Sequence, residues 1–321
     1  MSNAKGIEMD SAFFRMETLA EGVHAAIGRL DTTAYSNAAI VDVGGRTIVI
    51  DSFMMPAPAH ALREAAKSLT GRAPSLLFLT HFHQDHWGGA SAFPEAVFCA
   101  SDFVRKALIE DADEYEAWKD DTSELEEQIS NTEAKLAEDQ TPEMRESLEN
   151  RLRRDRAILS ELPTLTCRIP ELIIDRQLTL HGADRSAHVH IEEGGHTPSD
   201  LYIELPEDGI VICGDLCFFG TQPFMYHGDP AAWIEWLKRM EASEHEVFVP
   251  GHGPVGGKRD LAMLRRYIET LTDLLRAAIA RGDDVEQALS IQLPEPFAVW
   301  QAVETGRFEA NVRGLYARFT E

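Results

Sequence analysis

The sequence predicts a layered α/β fold, and three observations carry that expectation. Strand-like runs fill much of the first hundred residues, a strand pattern returns after residue 185, and helical stretches flank both. A charged, glycine-free segment, residues 105–162, separates the two strand-rich parts. With 321 residues and 44% apolar composition the chain can bury a sizeable core. It reads as one domain over 8–321, with 105–162 inserted into it and 260–321 as its helical C-terminal part. Ser2, Asn3 and Ala4 resemble an expression-vector scar and are set aside.

Each element has a local reason. "AAIVDVGGRTIVIDS" places two β-branched runs around Gly44 and Gly45, a hairpin signal. "SLLFLT", residues 75–80, is a short apolar run after Pro74, as expected of a strand buried on both faces. In the inserted segment, Ser123 to Glu126 fits a capping box, with Leu125, Ile129 and Leu136 at helical spacing behind it. Thr141 and Pro142 then start a second helix, with Met144, Leu148, Leu152 and Leu159 as its apolar stripe. The simplest reading is a helical hairpin, acting as an active-site lid or as a homodimer interface. Its 18 acidic and 9 basic residues make most of it a solvated face. Strands resume at "HVHIEEGG", "LYIEL", "IVICGD" and "EVFVPGHG", and from Asp260 a helix presents Leu261, Leu264, Ile268, Leu271 and Leu275 on one face.

Composition narrows the function. Thirty basic against 54 acidic residues give a net charge of −24, which repels phosphate backbones and anionic membranes, so neither nucleic acid nor a membrane is the expected partner. No signal-peptide pattern or membrane-length apolar run is visible, and the chain reads as cytoplasmic. Cys99, Cys167, Cys213 and Cys217 form no CxxC pair and read as reduced thiols.

The chemistry concentrates in "LTHFHQDHWGG", Leu79 to Gly89, where a strand-like run ends in three histidines and an aspartate. In an extended segment His81 and His83 point the same way and can share one ion, leaving Asp85 and His86 for a second. Three more ligand-type residues follow predicted strands beside glycine: His196 in "EEGGHTPSD", Asp215 in "VICGDLC" and His252 in "FVPGHGP". Strand ends on one sheet edge cluster in space, and glycine lets backbone pass close to them. His188 and His190 also form an HxH pair but lack the Asp-His that follows, and read as strand residues, while His24, His60, His181 and His245 read as ordinary. The loop "LCFFGTQPFMYHGDP" is apolar and aromatic enough for Phe219, Phe224, Tyr226 and His227 to line a substrate pocket. Cys217 reads as a buried thiol.

At these residues the sequence resembles the metallo-β-lactamase superfamily, whose HxHxDH hallmark stands here as His81 to His86, with the later elements at His196, Asp215 and His252. The resemblance covers roughly Gly22 to Leu275 apart from the insertion. It implies a four-layer αββα sandwich with two divalent metal ions at one edge of the sheets, zinc first, manganese or iron as alternatives. By position, His81, His83 and His196 would hold one ion, Asp85, His86 and His252 the other, and Asp215 would bridge them. The implied activity is hydrolysis of a small molecule: a hydroxide shared by the metals attacks an acyl carbon, with Asp85 orienting it and passing a proton to the leaving group. An Asp at position 215 resembles the glyoxalase II and lactonase branch, which cleaves thioesters, lactones and other acyl bonds, rather than the lactamases with a cysteine ligand. Three alternatives stay open: a mononuclear-iron persulfide dioxygenase-like oxidoreductase, a phosphodiesterase or nuclease, and a binding protein without catalysis. The complete ligand set argues against the first and third and the acidic surface against the second.

Overall fold

The structure is a computed structural model that describes residues 11–303 and 305–320. The scar at Ser2–Ala4 and the proposed domain start at residue 8 lie outside the described residues. The chain begins with β1 (Phe14–Ala20), β2 (Val23–Gly28), β3 (Ala38–Asp42) and β4 (Thr47–Ile50), then α1 (Pro56–Thr70), β5 (Leu76–Phe78), the short α2 (Gln84–Trp87) and β6 (Val97–Ala100). Four helices follow: α3 (Asp102–Glu110), α4 (Ala112–Asp120), α5 (Ser123–Leu136) and α6 (Pro142–Glu161). The second half holds β7 (Leu172–Ile173), β8 (Gln177–His181), β9 (Ser186–Glu193), β10 (Ser199–Leu205), β11 (Ile210–Phe218), α7 (Pro230–Ala242), β12 (Val247–His252) and α8 (Lys258–Arg281). The chain closes with α9 (Val285–Ala288), α10 (Phe297–Val303) and α11 (Thr305–Thr320).

Two sheets result, β1-β2-β3-β4-β5-β6-β7 and β12-β11-β10-β9-β8. The glycine hairpin forms as the sequence predicts: Gly44 and Gly45 take φ of 55° and 97°, and the turn sets β3 and β4 in antiparallel register from Asp42 opposite Thr47. β5 is only three residues long but runs parallel between β4 and β6, which is why its sequence is apolar on both faces.

Strand alternation assigns each side chain to a layer. Val41, Ile48, Ile50 and Phe78 from the first sheet meet Val189, Leu201, Ile203 and Ile212 from the second. The opposite face of the first sheet, with Ile40, Val49, Leu77 and Phe98, packs on Leu62 and Ala66 of α1 and Val104 and Leu108 of α3. The opposite face of the second, with Tyr202, Val211 and Phe248, packs on Trp233, Trp236 and Leu237 of α7 and on the Leu261-to-Leu275 stripe of α8. The order is helix, sheet, sheet, helix: the four-layer αββα sandwich. Ile203 is fully buried between the sheets, so Ile203→Ala should cost about 3 kcal/mol of unfolding free energy in urea titration. Among the described residues no helix is long and apolar enough to cross a membrane.

The inserted segment differs from the expected hairpin. It contains four helices, because α3 belongs to the outer layer of the core and α4 adds a short turn of chain before α5 and α6 pack on each other. The capping box at Ser123 does not form. Thr122 is the N-cap, and its hydroxyl donates to Glu126 Oε1 at 2.8 Å instead of accepting from a backbone N–H. Thr141 does cap α6, its hydroxyl accepting from the Met144 N–H, with Pro142 in the first turn. Leu125, Ile158, Leu162 and Leu165 make a small separate core with Met55.

Candidate metal centre

The sheets bring the candidate ligands to one edge. His81 follows β5, His83 caps the short α2 that carries Asp85 and His86, His196 lies in the β9–β10 connection, and His252 ends β12. Asp215 differs from the expected strand-end position: it lies within β11, where the register against β12 is irregular around Gly214. Gly214 takes φ of 54° there, and the bulge re-aims the strand.

The side chains form two groups. His81, His83, His196 and Asp215 offer ligand atoms within 4.8 Å of one another, and so do Asp85, His86 and His252. In the first, His83 Nδ1 is 3.0 Å from His81 Nε2 and 2.9 Å from His196 Nε2. In the second, His252 Nε2 is 3.1 Å and His86 Nε2 3.4 Å from Asp85 Oδ2. Asp215 lies between the groups: Oδ1 is 3.1 Å from His86 Nε2, while Oδ2 is 3.3 Å from His196 Nε2 and 3.5 Å from His252 Nε2. His83 and Asp85 are half-buried; His81, His86, His196, Asp215 and His252 are buried. The solvent side of the centre is therefore the side of His83 and Asp85.

Burial and charge sort the protonation states. Burial drives the pKa of His81 and His83 well below the usual imidazole value and that of His196 to about 4, so these rings are neutral and fit to ligate. Burial opposes the charge on His252 as well, but Asp215 and Asp85 outweigh it and raise its pKa to about 9; the same carboxylates with Asp51 raise His86. Those cationic rings hold Asp85 and Asp215 ionised, well below the carboxylate range, against the opposing effect of burial.

A supporting layer escaped the sequence reading. Asp51, at the end of β4, accepts from the Thr80 N–H at 2.8 Å and the Thr80 hydroxyl at 2.9 Å, and its Oδ2 is 2.8 Å from His86 Nδ1. That contact turns His86 Nε2 toward the centre. Asp51 takes φ of 60°, and the only other non-glycine residues with positive φ among those described, Tyr35 at 61° and Phe53 at 65°, flank the same edge. The Tyr35 ring stands 5.3 Å edge-on to His252, its hydroxyl accepts from Arg307 at 2.6 Å, and the Arg154 guanidinium of α6 lies 4.5 Å over its face. In sequence, the only cue to Asp51 is an acidic residue at a strand end; Tyr35 carries none.

The pocket residues divide. His227 Nδ1 is 2.8 Å from His83 Nε2, the Phe224 ring is 5.6 Å from the His83 ring, and the exposed Tyr226 stacks on Phe224 at 6.2 Å. Phe219 does not face the centre: just past the end of β11, it is buried in the outer core with α7 and α8, its ring packed beside Gly256 rather than beside the histidines. Cys217 is buried in the same core and belongs to neither ligand group.

The sequence model described as Metallo-beta-lactamase superfamily matches residues 31–252, more than half of the chain and all seven candidate ligands. The chain belongs to the metallo-beta-lactamase superfamily. Solved structures with the same fold include a metallo-beta-lactamase from Pontibacter korlensis, 16% identical, covering 80% of this chain and 99% of that one with a TM-score of 0.56. The metallo-beta-lactamase FIM-1 from Pseudomonas aeruginosa, in its mono-zinc form, is 18% identical and covers 81% and 96%, with a TM-score of 0.54. The stereoselective inverting sec-alkylsulfatase Pisa1 from Pseudomonas sp. is 13% identical and covers 95% of this chain but only 50% of its own, with a TM-score of 0.65. No curated protein matches the chain.

Superfamily members are mostly metal-dependent hydrolases that bind divalent ions, and the residues here fit such ions. His86 Nε2 and Asp215 Oδ1 are buried 3.1 Å apart without a well-formed hydrogen bond between them or to any other group, an arrangement that a cation held by both would relieve. The donors are imidazole nitrogens and carboxylate oxygens, the set that zinc and similar ions prefer.

Proposed function

We propose that this chain is a hydrolase that holds two divalent ions, zinc first, and cleaves an ester, thioester or lactone-type acyl bond of a small molecule. The observation that carries this reading is a single carboxylate, Asp215, reaching histidines of both ligand groups. When bound, two such ions acidify a shared water and polarise the bond to be cut. The chain's own part is to place and protect. Asp85 is ionised, half-buried and at the solvent side of the centre, which suits it to orient the nucleophile and carry a proton to the leaving group. Asp51 and His227 hold the rings of His86 and His83 in place. Phe82, Phe224, Tyr226 and Tyr35 give the mouth an aromatic rim that excludes water and favours an apolar acyl group.

In this reading the α5–α6 pair is a lid, because α6 reaches the rim through Arg154 on Tyr35. Replacing residues 123–159 by a short Gly-Ser linker should broaden the substrate range and leave the solution mass that of the same oligomer. A loss of dimer with unchanged substrate range would make the pair an interface instead.

A second reading, sulfate-ester hydrolysis, is favoured by the sec-alkylsulfatase likeness, which extends over more of this chain than the lactamases do, and by the guanidinium groups of Arg154 and Arg307 at Tyr35. The deciding experiment is metal content per chain of protein purified without chelator, run beside hydrolysis of thioesters, lactones, aryl esters, an alkyl sulfate and a β-lactam. Two zinc per chain with acyl turnover that falls at least about 100-fold in His83→Ala supports the first reading. Turnover of the alkyl sulfate alone supports the second. One iron per chain with oxygen uptake overturns both.

A further inference from the structure

We propose that His188, His190 and Glu204 form a separate metal site, for zinc or a similar transition-metal ion, on the helix-facing side of the second sheet. His188 and His190 read in sequence as plain strand residues, because no Asp-His follows them. Register supplies what sequence spacing lacks. In the antiparallel pairing of β9 with β10, His188 stands opposite Glu204 and His190 opposite Tyr202. Val189 and Ala187 point into the space between the sheets, so the two histidines alternate to the other face, where the Glu204 carboxylate also lies. One ligand atom from each of the three falls within 4.8 Å of the others.

The site is held in place from outside. The His190 ring stacks on the buried ring of Tyr202 at 5.0 Å, and Tyr202 is itself packed edge-on against Trp236 of α7. His190 Nε2 is buried and lacks a hydrogen-bond partner, although Glu204 Oε2 is 3.4 Å away. The Ser186 hydroxyl donates to Glu207 Oε1 at 2.8 Å, so its contact with His188 Nε2 at 3.2 Å is one in which it accepts. That places the His188 proton on Nε2 and leaves Nδ1 with its lone pair, the hydroxyl and carboxylate behind it fixing the tautomer. Two imidazoles and one carboxylate form the set that binds zinc, cobalt, nickel or copper in preference to magnesium or calcium. All three side chains are half-buried, so an ion reaches the site from solvent and water completes its coordination.

This site is independent of the reading given to the centre at the sheet edge. His190 lies three residues before Glu193, the end of β9 nearer that centre, which is roughly 10 Å along the strand. The test counts a difference between proteins, so it holds whatever the first centre contains. Protein as purified, freed of loose metal by gel filtration, is titrated with zinc by calorimetry beside His190→Gln and His188→Gln. The native chain should take up one more equivalent of zinc than either variant, or bind it at least about tenfold more tightly. Zinc should also raise the melting temperature of the native chain by more than that of the variants, which keep only the sheet-edge centre. His188→Gln, outside the Tyr202 stack, gives the same reading if His190→Gln disturbs the strand. Equal stoichiometry and affinity in all three proteins would overturn the proposal.

Discussion

Asp215→Asn should strip the centre of both ions and cut turnover about a thousand-fold, with the fold intact. The substitution preserves shape and removes one charge. Two unit charges 4 Å apart at an effective dielectric of 20 interact by about 4 kcal/mol, which is about a thousand-fold in affinity for each ion that relies on this carboxylate. One effect opposes the loss. Asp215 also helps keep His86 and His252 protonated, so in the variant their pKa values fall and protons compete less with metal. A proton carries one charge and a divalent ion two, so the loss of attraction for the ion exceeds this relief. Four of the five histidines lie within 3.7 Å of an Asp215 oxygen, so both groups lose it together. Metal content after gel filtration and initial rates on the best acyl substrate measure the two effects. Retention of two ions with a rate within tenfold of the native chain would remove Asp215 from its place between the groups.

What sequence made legible follows how local each signal is. The HxHxDH run and the glycine-flanked His196, Asp215 and His252 declare themselves because their chemistry is written in a few consecutive residues. The Gly44-Gly45 turn is legible for the same reason. Asp51 is not, since its role depends on β4 lying beside β5 so that its carboxylate reaches Thr80 and His86. Tyr35, Arg154 and Arg307 are farther out of reach. The hydrogen bond from Arg307 to Tyr35 joins residues 272 apart, and nothing in either local sequence specifies it. Phe219 is not legible because its neighbours Phe224 and His227 do approach the centre, while its own ring packs beside Gly256 in the helix-side core, a contact between distant residues. In the insertion, amphipathic stripes predict helices but not which helix belongs to which core, so nothing in the sequence separates α3, which packs on the first sheet, from the helices after it. The pairing of His188 with Glu204 is a matter of strand register, invisible until β9 and β10 are aligned.

Gly251→Ala should disable the centre almost as thoroughly although residue 251 offers no ligand. A Cβ built there would lie 1.8 Å from Asp215 Oδ1 and 2.9 Å from the Gly214 carbonyl carbon. The backbone on either side cannot retreat cheaply. The β12 backbone is tied to Asn37, whose N–H donates to the Gly251 carbonyl at 2.7 Å and whose side chain donates to the carbonyls of Pro250 and Gly253 at 2.8 and 2.9 Å. Gly214 is itself pressed against Thr80, which Asp51 holds. The remaining freedom is rotation of the Asp215 carboxylate, which carries it away from the histidines. Overpacking of this kind costs about 1–3 kcal/mol of stability, while the displaced carboxylate loses metal as Asp215→Asn does. Gly306→Ala is the control: nothing lies within 4 Å of a Cβ built there, at the exposed start of α11, so stability should change by no more than about 0.5 kcal/mol. Urea unfolding and metal content measured on both variants separate a local effect from a global one. If Gly251→Ala kept its metal and its rate, the close approach of β12 to Asp215 would not be what sets the carboxylate between the two groups.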